Sequence, residues 1–181
     1  MSLPTHQAYI HSGDWDEETR RHPAMKWMED YTRNLNAHGG WDKPSSDWHS
    51  SDFTLVKSDG STYTGAGGEC FEQVKGMYAP FTKEYHEPSF IVCWETPNGK
   101  GWQAIAQAHF FADCQGEAKS GEKKVKDDQG QEWDVKIPGA FNFVYVKKEG
   151  AAHGDIELQR AEIMVDSLPA VQILMARGVK M

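Results

Sequence analysis

The chain has 181 residues, seven of them Trp, and a 12% aromatic share, enough for one domain with a core of its own and unlike a disordered chain. Nineteen basic residues against 27 acidic ones leave a formal net charge of −8, which excludes the broad basic patch that a phosphate-tracking nucleic-acid binder needs. The one basic cluster, Lys119 to Lys126, is interrupted by Glu122 and followed by Asp127 and Asp128, the pattern of a solvated loop.

Cys70, Cys93 and Cys114 are scattered and form no CxxC pair, so neither a disulfide framework nor a zinc knuckle is expected. No apolar run approaches the roughly 20 residues of a membrane helix. The first residues lack a positive start followed by an apolar stretch. These features predict a cytoplasmic protein with reduced thiols and with neither nucleic acid nor membrane as partner.

In chain order, residues 1–17 are polar and predict a flexible arm ahead of a single domain over 18–181. From Glu18 to about Ala37 the apolar residues Met28, Tyr31 and Leu35 recur three to four apart, as on one helix face, and His38-Gly39-Gly40 ends it. Asp52 to Lys57 predicts a short strand. Phe71, Val74, Tyr78 and Phe81 predict a second helix, which Pro80 kinks or ends.

The period then changes to two. Pro88 to Thr96, Trp102 to Asp113, Trp133 to Lys148 and Asp155 to Val165 read as four long strands. Pro97 to Gly101 is a hairpin turn, and the polar stretch 114–131 is either a mobile loop or an extended hairpin tip. A short helix follows Ser167-Leu168-Pro169. Helices gathered before an antiparallel meander predict an α+β fold: a strongly curved sheet, covered on one face by the N-terminal helices, with a cone-shaped pocket between them.

Two histidines, His86 and His109, stand in aromatic and apolar surroundings. If both face the cone, one takes a proton alpha to a carbonyl and the other protonates a leaving hydroxyl or an enolate oxygen. The competing reading makes His86 a surface residue and His109 a satisfied core residue. Asn142 offers an amide to an oxyanion, or a structural bond at a bulge. Tyr31, Tyr63 and Tyr78 offer hydroxyls to a substrate, and Phe110 and Phe143 offer aromatic walls. Glu162, two residues from Arg160 on the last strand, is a second base candidate or half of an exposed ion pair. His38, Asp42, Asp47 and His49 match no standard ligand spacing, so no metal is expected.

The element order over Glu18 to Val165 resembles the nuclear transport factor 2-like cone fold, which includes the polyketide-cyclase-like and scytalone-dehydratase-like proteins. Within it the scytalone dehydratase group looks most similar. Tyr85-His86-Glu87 resembles its histidine before the first long strand, and Ala108-His109-Phe110 its histidine in the next. Phe141-Asn142-Phe143-Val144-Tyr145-Val146-Lys147-Lys148 resembles its third-strand asparagine segment. The chain departs from the group at Asn36-Ala37-His38-Gly39, where a tyrosine–aspartate pair is missing, and around Val56 or Lys57, where a strand tyrosine is replaced.

The resemblance implies a cofactor-independent lyase or isomerase, of dehydratase or cyclase type, in secondary metabolism. Its substrate would be polycyclic or polyketide-like, and its assembly a homodimer or homotrimer. A non-catalytic ligand-binding or dimeric adaptor module of the same fold is the alternative.

Overall fold

The computed structural model describes residues 7–36 and 42–180. The first helix is shorter than its apolar pattern suggests. A tight turn over Thr19–Arg21 precedes α1, which spans Pro23–Asn36. Pro23 holds His22 extended (φ −86°, ψ 120°), so helix cannot run through it. Asp16 and Thr19 bond reciprocally: the Thr19 N–H donates to Asp16 Oδ1 at 2.8 Å and the Asp16 N–H to Thr19 Oγ1 at 2.9 Å. The buried Glu29 of α1 accepts both a two-pronged Arg20 contact at 2.8 Å and Arg33 at 2.7 Å, which pins that turn to the helix. Ala24, Met25, Trp27, Met28 and Tyr31 form its buried stripe.

The second helix, α2, spans Gly68–Tyr78 and stops two residues before Pro80, which has no N–H with which to continue it. Phe81 therefore leaves the helix and starts a strand. The main sheet has seven strands: β1 (Ala8–Ser12), β2 (His49–Val56), β3 (Thr62–Thr64), β4 (Phe81–Glu95), β5 (Gly101–Cys114), β8 (Val135–Lys147) and β9 (Ile156–Val165). Their order is β1-β4-β5-β8-β9-β2-β3, and every pairing is antiparallel except β2 with β9. At the start of β5 a Cβ on Gly101 would lie 1.9 Å from the Tyr145 carbonyl oxygen, so no side chain fits there.

Bulges and register shifts bend the sheet at several places. Ser89 is extra between the pairs Pro88↔Ala108 and Phe90↔Gln107, and Gln159 is extra between Arg160 and Leu158 opposite Val144 and Tyr145. The concave face carries Ile91, Cys93, Ala104, Ala106, Phe143, Tyr145, Leu158 and Ala161, and α1 and α2 pack onto it. The third helix, α3 (Leu168–Ala176), covers the far end of that face, with Ala170 and Leu174 against Ala112, Val135 and Ile137. Asp166, rather than Ser167, receives the first helical N–H, that of Leu168, at 3.0 Å.

The expectation of a free arm needs correction. The arm is not free over Ala8–Ser12, which pairs with β4 from Ala8↔Trp94 to Ser12↔Phe90; alternation of Tyr9 inward and Ile10 outward gives it an edge-strand pattern. Residues 1–6 lie outside the described residues. The stretch 114–131 takes the second of its two expected forms: it folds back as a small hairpin, β6 (Val125–Lys126) with β7 (Glu132–Trp133).

Charge holds this hairpin. The buried Arg177 reaches Glu122 at 2.6 Å, Asp134 at 2.9 Å and the Cys114 carbonyl at 2.7 Å, and Lys124 reaches Asp134 at 2.5 Å. Burial alone would raise the Asp134 carboxyl, but Arg177 and Lys124 override it and hold it at about 2.

Candidate functional site

Between the concave face and the helices lies a cavity of about 300 Å³, in the lower range of small-molecule sites. Phe53 and Leu55 of β2, Phe110 of β5, Phe141 and Phe143 of β8 and Ile163 of β9 wall it. Val74 and Met77 close it from α2, and Trp15 reaches it from the N-terminal segment. Polar groups enter at a few points only: Tyr31 and Thr32 on α1, Lys57 and Ser58 after β2, Tyr78 at the end of α2, His86 on β4, and Ser167. Among the described residues that line it, Lys57 alone carries a formal charge.

His86 faces the cavity because it pairs with Phe110, which pairs in turn with Ile137, and all three point the same way across the sheet. It is not at a helix end, since β4 begins five residues earlier at Phe81. Its ring packs 5.0 Å from the Phe110 ring, and its Nε2 lies 3.4 Å from the Tyr78 hydroxyl. Burial pushes the imidazole from 6.5 down to about 4, so it is neutral and basic at neutral pH. Burial raises the Tyr78 hydroxyl, with Glu84 adding to the effect, so that group keeps its proton.

A second imidazole supports the cavity wall from behind. His49 is buried against Phe53 and Phe71, with its Nδ1 3.1 Å from the Ser45 carbonyl and its Nε2 2.9 Å from the Tyr31 hydroxyl. A carbonyl can only accept, so Nδ1 holds the ring proton. Burial lowers this histidine to about 4, so it is neutral and Nε2 is an acceptor. Tyr31 therefore donates its proton to His49, and its oxygen has only lone pairs left for anything in the cavity.

His109 does not share this cavity. It pairs with Glu87 and Pro138 on the convex face, and its Nδ1 lies 3.9 Å from the buried Glu87 carboxylate. Glu87 in turn accepts the Asp128 N–H at 3.1 Å, holding the tip of the small hairpin. The reason is parity: Ala104, Ala106 and Ala108 are the inward residues of β5, so the odd positions point out. Asn142 is outward for the same reason, between the inward Phe141 and Phe143.

On that outer face Gln103 donates to Asn142 at 2.8 Å, and Asn142 donates to Glu162 at 2.9 Å. Glu162 also pairs with Arg160 at 2.5 Å, which makes it an ion-pair member rather than a base in the cone. Tyr63, on the edge strand β3, stays outside the lining, with its ring 5.8 Å from the Lys57 ammonium. Tyr31, Tyr78, Phe110 and Phe143 line the cavity.

Of the loose His/Asp group, His38 lies outside the described residues. Among the described residues no three His, Cys, Asp or Glu side chains are placed to hold a metal. No helix among them is long and apolar enough to cross a membrane.

Two cavity features escape a reading for motifs. Lys57 continues the inward row Phe53, Leu55, and that alternation was the available signal. His49 had none, because its segment reads as turn.

No family model and no curated protein matches the chain. Solved structures do. A candidate polyketide cyclase from Acidithiobacillus ferrooxidans is 16% identical with a TM-score of 0.55, over 86% of this chain and 96% of that one. A candidate scytalone dehydratase from Novosphingobium aromaticivorans is 12% identical with a TM-score of 0.56, over 83% and 89%. The CaMKII hub of S. rosetta is 11% identical with a TM-score of 0.55, over 80% and 95%. Further matches are described as having a cystatin-like fold. The chain has the cystatin-like, nuclear transport factor 2-like cone fold. At these identities the likeness is one of fold, since one fold carries many functions.

Proposed function

We propose that this protein binds a polycyclic or polyketide-like small molecule in the cone cavity and moves a proton on it with His86. This makes it a lyase or isomerase of dehydratase or cyclase type. The observation that carries the reading is one neutral, basic imidazole beside a protonated tyrosine hydroxyl in an otherwise apolar hollow. His86 takes the proton alpha to a substrate carbonyl, and Tyr78 donates a hydrogen bond to the enolate oxygen that forms. Loss of a beta hydroxyl, which departs with a proton as water, then completes a dehydration; return of the proton to another carbon completes an isomerisation. Both leave the oxidation level unchanged, so no redox partner enters the balance. A cytoplasmic setting in secondary metabolism belongs to the same proposal.

The test is proton exchange in heavy water on a panel of polycyclic hydroxy ketones, followed by proton NMR. The wild-type protein is expected to accelerate exchange at the alpha carbon, and His86→Gln to lose about 10²–10⁴-fold of that rate. Equal rates in the two proteins would remove His86 from the mechanism.

A homo-oligomer built on the convex face belongs to the proposal as well. Ile10, Phe90, Ile105 and Met164 are exposed there; the register puts Ile10 and Ile105 on either side of Val92, and Phe90 and Met164 on the next row with Gln107 and Ala140 between them. Sedimentation of Ile105→Glu is expected to give a smaller species than the wild type. It also separates the adaptor alternative, in which oligomer formation remains but no alpha exchange occurs.

A further inference from the structure

We infer that the ligand of this cavity carries a carboxylate that pairs with Lys57, while its apolar body extends towards His86. The inference deepens the proposed function and rests on the cavity being a ligand site.

Lys57 directly follows β2 and continues the inward row of Phe53 and Leu55. The groups it touches are a neutral amide and an aromatic ring. The ammonium donates to the Gln73 side-chain oxygen at 3.3 Å and lies 5.8 Å from the Tyr63 ring centre. Among the described residues it makes no ion pair. Asp59 is the nearby acid, but it is committed elsewhere: Ser61 holds its carboxyl below the ordinary value through hydroxyl and N–H, and Lys57 adds only a lesser push in that direction.

Lys57 is half-buried and lines an otherwise apolar hollow, where a charge is costly unless an anion meets it. In a chain of net charge −8, this cation is a local exception inside the cone. One ammonium with the neighbouring Ser58 hydroxyl suits a carboxylate. A phosphate would call for several donors, and the walls here are aliphatic and aromatic.

Helix α2 sets the scale. Gln73 touches Lys57, and Tyr78 touches His86. Five residues of helix separate them by roughly 7.5 Å along the axis. The carboxylate and the reacting carbon are thus about the span of two fused rings apart. Tyr31, whose oxygen can only accept, also lines the cavity and adds a place for a ligand hydroxyl.

The experiment titrates the full chain at pH 7 with 2-naphthoic acid and with its methyl ester, reading the fluorescence of Trp15 and the other tryptophans. The wild type is expected to bind the acid about tenfold tighter than the ester, the scale of one charge-assisted contact. Lys57→Met is expected to erase that preference by weakening the acid alone, and Lys57→Arg to keep it. Thermal melts of both variants check that they fold. A wild type without preference, or a Lys57→Met protein that retains it, overturns the carboxylate inference while the ligand site stands. If neither compound binds the wild type, the ligand-site reading falls and this inference with it.

Discussion

The two faces of β4 and β5 carry one histidine each, and the difference between them separates a cavity-lining imidazole from one held beside a buried carboxylate. His86 and His109 sit on adjacent strands, one register step apart, because His86 pairs with Phe110 and His109 with Glu87. On the concave side the imidazole meets aromatic rings, a tyrosine hydroxyl and an apolar hollow, which keep it neutral. On the convex side the other imidazole stands near a buried carboxylate that also fastens a hairpin. The same residue type on two neighbouring strands thus has two environments, set by which way the pleat turns it. The convex face also gathers paired polar groups, the Gln103–Asn142–Glu162–Arg160 chain, while among the described residues that line the cavity Lys57 alone is charged.

The sharpest way to break this contrast is to exchange the histidines one at a time. His86→Gln is expected to cost about 10²–10⁴-fold in alpha-proton exchange, whereas His109→Gln and Asn142→Ala stay within a few-fold of wild type. A comparable loss from His109→Gln would merge the two faces into one site.

Next in size is the clamp at the sheet end. Arg177→Met leaves Asp134 and Glu122 without their buried partner and is expected to cost about 3–5 kcal/mol in urea unfolding. Glu162→Gln on the outer face, a more exposed pair, is expected to cost no more than about 1 kcal/mol.

Between these lies the response to acid. His49 and His86 are held neutral at about 4 against an ordinary 6.5. As pH falls from 6.5 towards 4 the unfolded chain takes up protons that the folded chain refuses, so the contribution of these two groups falls across that window, and below it the loss passes to carboxylates such as Asp134. For the fully buried His49 the loss is about 3 kcal/mol. Urea midpoints at half-unit steps of pH check this, and His86→Gln is expected to flatten the slope. The acid limb of exchange should likewise lie near pH 4. A limb near pH 6.5 would mean that the hollow is wetter than its lining suggests.

The strands and the curved α+β architecture were legible because alternation and turn residues agree over long segments, from Phe90 to Val165. The first helix was misjudged at its start, since a capped tight turn before Pro23 can follow the same apolar spacing as helix. The strand β1 was hidden because an edge strand needs only one apolar face and the segment is short. Facing was the harder matter. In β5 the run Gln103-Ala-Ile-Ala-Gln-Ala108 already separates inward alanines from outward residues, and extending it by one places His109 outside. In β4 the extra residue Ser89 breaks the count: Ile91 and Cys93 point inward at odd positions, yet His86 and Pro88 do so at even ones. No local pattern announces a bulge of that kind. His49 and its Ser45 partner were invisible for another reason, because their contact with Tyr31 joins segments 18 residues apart through tertiary packing.

The Arg177 clamp also offers a practical gauge. Trypsin must seat an arginine side chain in its own pocket with the neighbouring backbone drawn out straight. Here that side chain is 2% exposed and its backbone closes the last helical turn. Cutting after Arg177 therefore requires the chain end to come undone first. The rate of that single cut reports, for every variant described above, whether a lost activity reflects chemistry or a loosened fold.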